Sequence, residues 1–190
     1  MALVLPWHPD VLHHSISGAV HSFPAWAVLH MAGVAAAVLS LIGALGVASV
    51  HEGRLGRLGQ AAVLVIAAGM LGTTALFAVE AVAFPLLAEH APQLLTLDGP
   101  LSRSWLLIGI ALLAVCWPLG LMLLGIAAAR ARVFPLRAGL LLSATGAAFL
   151  AFAGPFVPVL GPLAGVAFGA SQVYLGLLLR RAVADGDQEG

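Results

Sequence analysis

Two ionisable residues lie inside apolar runs of the sequence, where we expect their side chains to be shielded from water. Glu80 lies in the stretch TTALFAVEAVAF, and His30 lies four residues after Trp26 in another apolar run. A carboxylate and an imidazole can share a proton, bind a cation or act together as an acid–base pair. Three interpretations compete: a structural hydrogen bond, a cavity that binds a cation, proton or polar headgroup, and the acid–base pair of an enzyme.

A second candidate site lies in the N-terminal segment PDVLHHSISGAVHS, residues 9–22. At helical spacing Asp10, His14, Ser17 and His21 share one face opposite an apolar face, which predicts a short amphipathic helix in the membrane interface. The polar face can simply contact water, or Asp10, His14 and His21 can bind Zn(II) or Cu(II). No HExxH, CxxC or EF-hand pattern accompanies them, so the metal hypothesis depends on residue types alone.

The composition indicates what surrounds these side chains. The chain has 190 residues, of which 62% are hydrophobic and 8% are charged, and its mean hydropathy is +1.08. Soluble domains are about a quarter charged, so the sequence predicts a protein embedded in a lipid bilayer. Zero net charge provides no basic surface for nucleic acid. The single cysteine, Cys116, cannot form an intrachain disulfide.

Five apolar runs approach the ~20 residues that a helix needs to cross a bilayer. They cover residues 26–50, 61–84, 104–129, 138–156 and 159–179. We therefore predict an all-α polytopic membrane bundle of five transmembrane helices, preceded by the interfacial helix. The predicted regions are an N-terminal extracytoplasmic segment 1–25, the bundle 26–181 and a disordered cytoplasmic tail 182–190. In a four-span alternative, the last two runs form one re-entrant element.

The arginines orient the predicted spans. Seven of the eight follow the first, third or fifth span, and Arg103 alone lies in a segment on the other side. The positive-inside rule then places the N-terminus outside and the C-terminus in the cytoplasm. Arginine without lysine, together with abundant Ala, Gly and Leu, favours a bacterial inner membrane. In this orientation Trp26 and Trp105 open their spans at the outer interface, where indole rings are favoured.

The same orientation brings the two buried ionisable residues together. His30 lies about 6 Å into the first span at 1.5 Å per residue, and Glu80 lies a similar distance from the outer end of the second. We therefore expect them at one depth on adjacent helices. Gly161, Gly165 and Gly169 open the fifth span at four-residue spacing, which predicts close helix packing, within the chain or against another copy.

These features favour a non-enzymatic membrane protein. Its outward-facing pocket, formed by Glu80, His30 and the N-terminal histidines, would bind a small ligand or metal ion, either alone or as a subunit of a membrane complex or homo-oligomer. One alternative is a small transporter with Glu80 as its ion- or proton-coupling carboxylate, but its third to fifth spans hold only Cys116 and Tyr174 as ionisable groups. The other is an enzyme acting on a lipid or quinone, for which no nucleophile motif is present.

Overall fold

The computed structural model describes residues 16–22, 24–51, 53–96, 98–153, 157 and 159–186. Within these ranges the chain forms helices and no strands. The elements are α1 (Ile16–Ser22), α2 (Trp26–Val50), α3 (Gly56–His90), a 3-10 turn (Pro92–Leu95), α4 (Trp105–Ala131), α5 (Leu136–Ala148, continued by a π turn at Phe149–Ala153) and α6 (Leu160–Gly186).

Five of these helices, α2 to α6, are long and apolar enough to cross a membrane. Large apolar side chains such as Val28, Leu71 and Trp105 are exposed on the outside of the bundle, an arrangement that suits lipid and not water. The prediction of an all-α chain with five membrane-length helices is confirmed, and α5 and α6 are two separate helices. The amphipathic character of the leading helix stays a prediction, because residues 9–15 lie outside the described ranges.

Two helices extend further than the sequence predicts. α3 continues through Pro85 to His90, although the proline removes one backbone hydrogen bond. The continuation is stabilised because Phe84 and Ala88 are buried against α1 and the 3-10 turn. α6 includes residues 182–186 of the predicted tail, and residues 187–190 lie outside the described part.

Close backbone contact between α3 and α4 forms the centre of the bundle. A Cβ atom added at Gly69 would fall against the backbone nitrogen of Trp117, and one added at Gly72 would fall against that of Ala114. From the other side, a Cβ added at Gly120 would lie 2.6 Å from the backbone nitrogen of Ile66. These glycines let two helix backbones approach more closely than any side chain allows.

A close glycine contact also joins α4 to α5, whereas α2 is attached differently. A Cβ added at Gly125 of α4 would lie 2.6 Å from the carbonyl oxygen of Gly139 in α5, and Ser143 of α5 donates a hydrogen bond of 3.0 Å to the carbonyl of Met122. α2, by contrast, packs mainly against α3. The tightly packed unit is therefore α3, α4 and α5, with α2 at its edge.

The three glycines of α6 predicted to pack closely, Gly161, Gly165 and Gly169, lie in two different environments. A Cβ added at Gly161 would lie 3.0 Å from the carbonyl oxygen of Phe152, so this end of α6 is in close contact with the chain. Gly165 and Gly169 line an open cleft, and an added Cβ at Gly169 meets nothing within 4 Å. The tightest glycine contacts are those of α3 with α4, at positions that the sequence pattern does not mark.

The contact between α3 and α4 predicts a clear difference between two glycine substitutions. Gly69→Ala should destabilise the folded protein by roughly 1–3 kcal/mol, because the new methyl group requires the backbone of α4 to move. Gly109→Ala is the matched control, since a Cβ there meets nothing within 4 Å. Unfolding of both variants in detergent measures the difference, and equal stabilities would contradict the assigned packing.

Candidate functional site

The candidate site begins with Trp26, the first residue of α2. Its indole Nε1 donates a hydrogen bond of 2.8 Å to the backbone carbonyl of Glu80, which ties the start of α2 to α3. The side chain is only 3% exposed, whereas Trp105 is 82% exposed. The interface position of both rings stays a prediction; the Trp26 ring is buried in the bundle, where its N–H has a partner.

His30 lies one helical turn after Trp26, and its ring is held in one orientation. Its Nδ1 lies 2.7 Å from the backbone carbonyl oxygen of Trp26. A carbonyl oxygen only accepts hydrogen bonds, so Nδ1 must carry a hydrogen. The two rings also stack at 4.4 Å between centroids with an interplanar angle of 31°. This arrangement leaves Nε2 as the ring nitrogen that faces the neighbouring helix.

Nε2 of His30 lies 3.2 Å from Oε2 of Glu80. His30 is 1% exposed and Glu80 is 6% exposed, so the two residues that sequence reasoning paired are in contact inside the bundle. An imidazole nitrogen and a carboxylate oxygen at this distance can share a proton or bind a cation together.

One oxygen of the Glu80 carboxylate has no hydrogen-bond partner among the described residues. The contact of 3.2 Å is short enough for an ion pair, yet Oε2 of Glu80 has no partner with hydrogen-bond geometry among the described residues. The ring nitrogen is therefore close to Oε2 without an aligned N–H. A buried carboxylate oxygen of this kind can accept from another donor or bind a cation, and leaving it unpaired is costly.

Aromatic and aliphatic side chains enclose the pair. Phe77 of α3 meets the His30 ring edge-on at 5.8 Å, and Gly33 provides the space for it, because an added Cβ would lie 2.5 Å from the Phe77 ring. A cluster that includes Ala19, Phe84 and Leu95 packs around Trp26. Helix α1 and the 3-10 turn therefore cover the site from the end of the bundle.

The predicted metal ligands of the N-terminal segment are placed only in part. Asp10 and His14 lie outside the described residues. His21 is exposed on α1, and its Nδ1 lies 3.0 Å from the carbonyl oxygen of Ser17. Ser17, assigned to the polar face, is buried where α1 packs against α3. Within the described ranges, no three His, Cys, Asp or Glu side chains are grouped as a metal site.

A second buried histidine, His51, lies in the turn after α2 at the opposite end of the bundle. Its ring meets Phe134 edge-on at 4.8 Å, and its Nε2 is buried without a partner in the part of the chain that the structure describes. Burial, together with the nearby positive charge of Arg54, lowers the pKa of His51 below its ordinary value of 6.5. The sequence gives no sign of this, because His51 stands in a polar break.

Comparison with known proteins finds no family model, no curated protein and no solved structure that matches this chain. The case for a function therefore depends on the geometry of the site.

Removing one member of the buried His30–Glu80 pair should destabilise the protein more than replacing both members by apolar residues. His30→Leu leaves the Glu80 carboxyl group buried without its partner, and we expect a loss of about 3–5 kcal/mol in the free energy of unfolding. The double variant His30→Leu/Glu80→Leu should be more stable than His30→Leu, because no buried polar group is left unpaired. Unfolding in detergent measures both, and a double variant less stable than the single one would contradict the pairing.

Acid should destabilise the protein through His51. The unfolded chain binds a proton near pH 6.5, whereas the folded chain resists protonation until a lower pH. The contribution of His51 to stability is therefore complete above about pH 6.5 and decreases as the pH falls towards the folded pKa. Thermal unfolding at pH 7.5 and 5.5 should show a smaller acid-induced decrease for His51→Gln than for the wild type. The exposed His90 gives the control His90→Gln, and an unchanged pH dependence in His51→Gln would contradict the assignment.

Proposed function

We propose that this is a small, non-enzymatic membrane protein that binds one divalent transition-metal cation, such as Zn(II) or Cu(II), at His30 and Glu80. The observation that carries the proposal is the Oε2 atom of Glu80, which is buried beside an imidazole nitrogen without an aligned donor among the described residues. Ionisable residues inside membrane spans are costly, and they mark functional sites by default.

The hydrogen bond made by Nδ1 of His30 supports a role for this residue as a metal ligand. Histidines that bind metals usually donate their other ring N–H to a carboxylate or a backbone carbonyl, which orients the ring and increases its basicity. His30 makes this arrangement, since Nδ1 lies 2.7 Å from the Trp26 carbonyl oxygen while Nε2 faces Glu80. An imidazole nitrogen and a carboxylate oxygen are both suitable ligands for Zn(II) and Cu(II).

The N-terminal segment is the proposed source of the remaining ligands. α1 covers the end of the bundle that holds the pair, and His14 and Asp10 precede it in the sequence. In this proposal residues 9–22 form the amphipathic interfacial helix, and His14 or Asp10 supplies a further ligand to the cation. Water can complete the coordination, as it does in open metal sites.

The proposed orientation places this site on the outer side of a bacterial inner membrane. The ring contact between His51 and Phe134 brings the turns after α2 and α4 to one end of the bundle, and both turns carry arginines. Arg180 and Arg181 near the end of α6 belong to the same group by topology. This grouping of positive charge supports a cytoplasmic location for that end, with the His30–Glu80 pair towards the outside.

Zinc binding to the full chain in detergent tests the proposal. We expect about one equivalent of Zn(II) by titration calorimetry, and both Glu80→Gln and His30→Gln should weaken binding about tenfold or more. His14→Ala or Asp10→Ala should also weaken it. Because imidazole and carboxylate ligands must be deprotonated to bind a metal, the affinity should rise from pH 6 to pH 8.

Exposed residues of the same helix provide the matched controls. Glu89 and His90 lie at the end of α3 and are both exposed, so Glu89→Gln and His90→Gln should bind zinc as the wild type does. An absence of zinc binding, or equal affinities in Glu80→Gln, His30→Gln and the wild type, would overturn the proposal.

A further inference from the structure

A cleft of about 530 Å³ lies between α2 and α6, apart from the His30–Glu80 pair. Trp117 and Leu121 of α4 and Leu142 of α5 form part of its floor. Its walls hold glycines, and an added Cβ at Gly43 or Gly169 meets nothing within 4 Å. The side chains of the described residues therefore leave the cleft open along these glycines.

One polar bridge crosses this cleft. The Ser40 hydroxyl of α2 donates to Oε1 of Gln172 in α6 at 2.5 Å, and it also lies 2.9 Å from the carbonyl oxygen of Ala36. The Gln172 amide nitrogen donates only a long bond of 3.4 Å to the Phe168 carbonyl. Since this nitrogen carries two hydrogens, the amide group has its acceptor occupied and donor capacity left.

Trp117 contributes aromatic surface to the cleft. Its indole Nε1 is buried and has no hydrogen-bond partner in the described ranges. Its ring contacts Phe168 at 5.7 Å and Phe149 at 6.0 Å between centroids, and all three rings line the cleft. The cleft thus combines aromatic surface with the spare donor hydrogen of the Gln172 amide.

The depth of the Ser40–Gln172 hydrogen bond in the bundle excludes the acceptors of ordinary phospholipids. Ser40 lies roughly 21 Å along α2, and Trp117 lies roughly 18 Å along α4, both counted from the end of the bundle near α1 at 1.5 Å per residue. Both positions are near the middle of a hydrocarbon layer that is about 30 Å thick. Phosphate and ester groups stay at the edge of that layer, so a phospholipid brings only methylene groups to this depth.

We propose that the cleft binds the head of an isoprenoid quinone. A quinone ring is flat, dissolves in the hydrocarbon layer and carries two carbonyl acceptors without a donor, which complements the spare donor hydrogen of Gln172. Its ring can stack among Trp117, Phe149 and Phe168, and the isoprenoid chain can lie along the apolar walls. The volume of the cleft is within the range of small-molecule sites, about 300–1,000 Å³.

Binding of decylubiquinone to the full chain in nanodiscs of quinone-free phospholipid tests the proposal. We expect saturable binding of one molecule per chain, above the partitioning into empty nanodiscs. Gly169→Leu should reduce the affinity at least tenfold, because its side chain fills the cleft. Gln172→Leu should reduce it about threefold to tenfold through the lost hydrogen bond. Gly109→Leu is the matched control, since Gly109 also faces open space but lies outside the cleft.

Three results would overturn the proposal. The first is quinone uptake that equals uptake by empty nanodiscs or is the same in folded Gly169→Leu. The second is equal displacement of the quinone by decylbenzene, which has no carbonyl group, because the cleft would then hold any apolar chain. The third is a dimer in native mass spectrometry that Gly169→Leu converts to a monomer, which would assign the cleft to a second copy of the chain.

Discussion

The close approach of the α3 and α4 backbones is the constraint on which the rest of the bundle depends. In lipid the hydrophobic effect does not drive helices together, so association depends on dispersion contacts and hydrogen bonds between them. Gly69 and Gly72 permit these contacts by removing the side chains that would separate α3 from α4. α5 joins the pair in the same way through Gly125 and Gly139, and three helices therefore form a compact unit.

α2 is held by different forces. It lacks a comparable close contact with α6, and hydrogen bonds connect it to its neighbours at two depths. Trp26 bonds to the Glu80 carbonyl near one end, and Ser40 bonds to Gln172 near the middle. Both candidate sites lie along α2. This helix is outside the unit of α3, α4 and α5 that glycine contacts hold together, and it is here that buried polar groups and unfilled space occur. The architecture thus separates a tightly packed unit from a helix that borders both the polar pair and the cleft.

The sequence predicts the helices well and their mutual rotation poorly. Long apolar runs define five helices almost without ambiguity, and the contact of His30 with Glu80 follows from two depths counted from the span ends. The spans are nearly uniform in hydrophobicity, however, so no polar face shows which glycines meet a neighbour. The regular spacing at Gly161, Gly165 and Gly169 indicates packing, yet Gly69 and Gly72 make the closer contacts. The burial of Trp26 and the cleft beside α6 depend on helix rotation and on three-dimensional packing, which no local pattern encodes.

The hydrogen bond from Trp26 has a consequence for what can stand at position 80 opposite His30. The indole donates to the main-chain carbonyl of Glu80 and not to its carboxylate, so the attachment of α2 to α3 is independent of the side chain at position 80. The side chain that faces His30 can therefore change by a single substitution while this attachment between the two helices is kept.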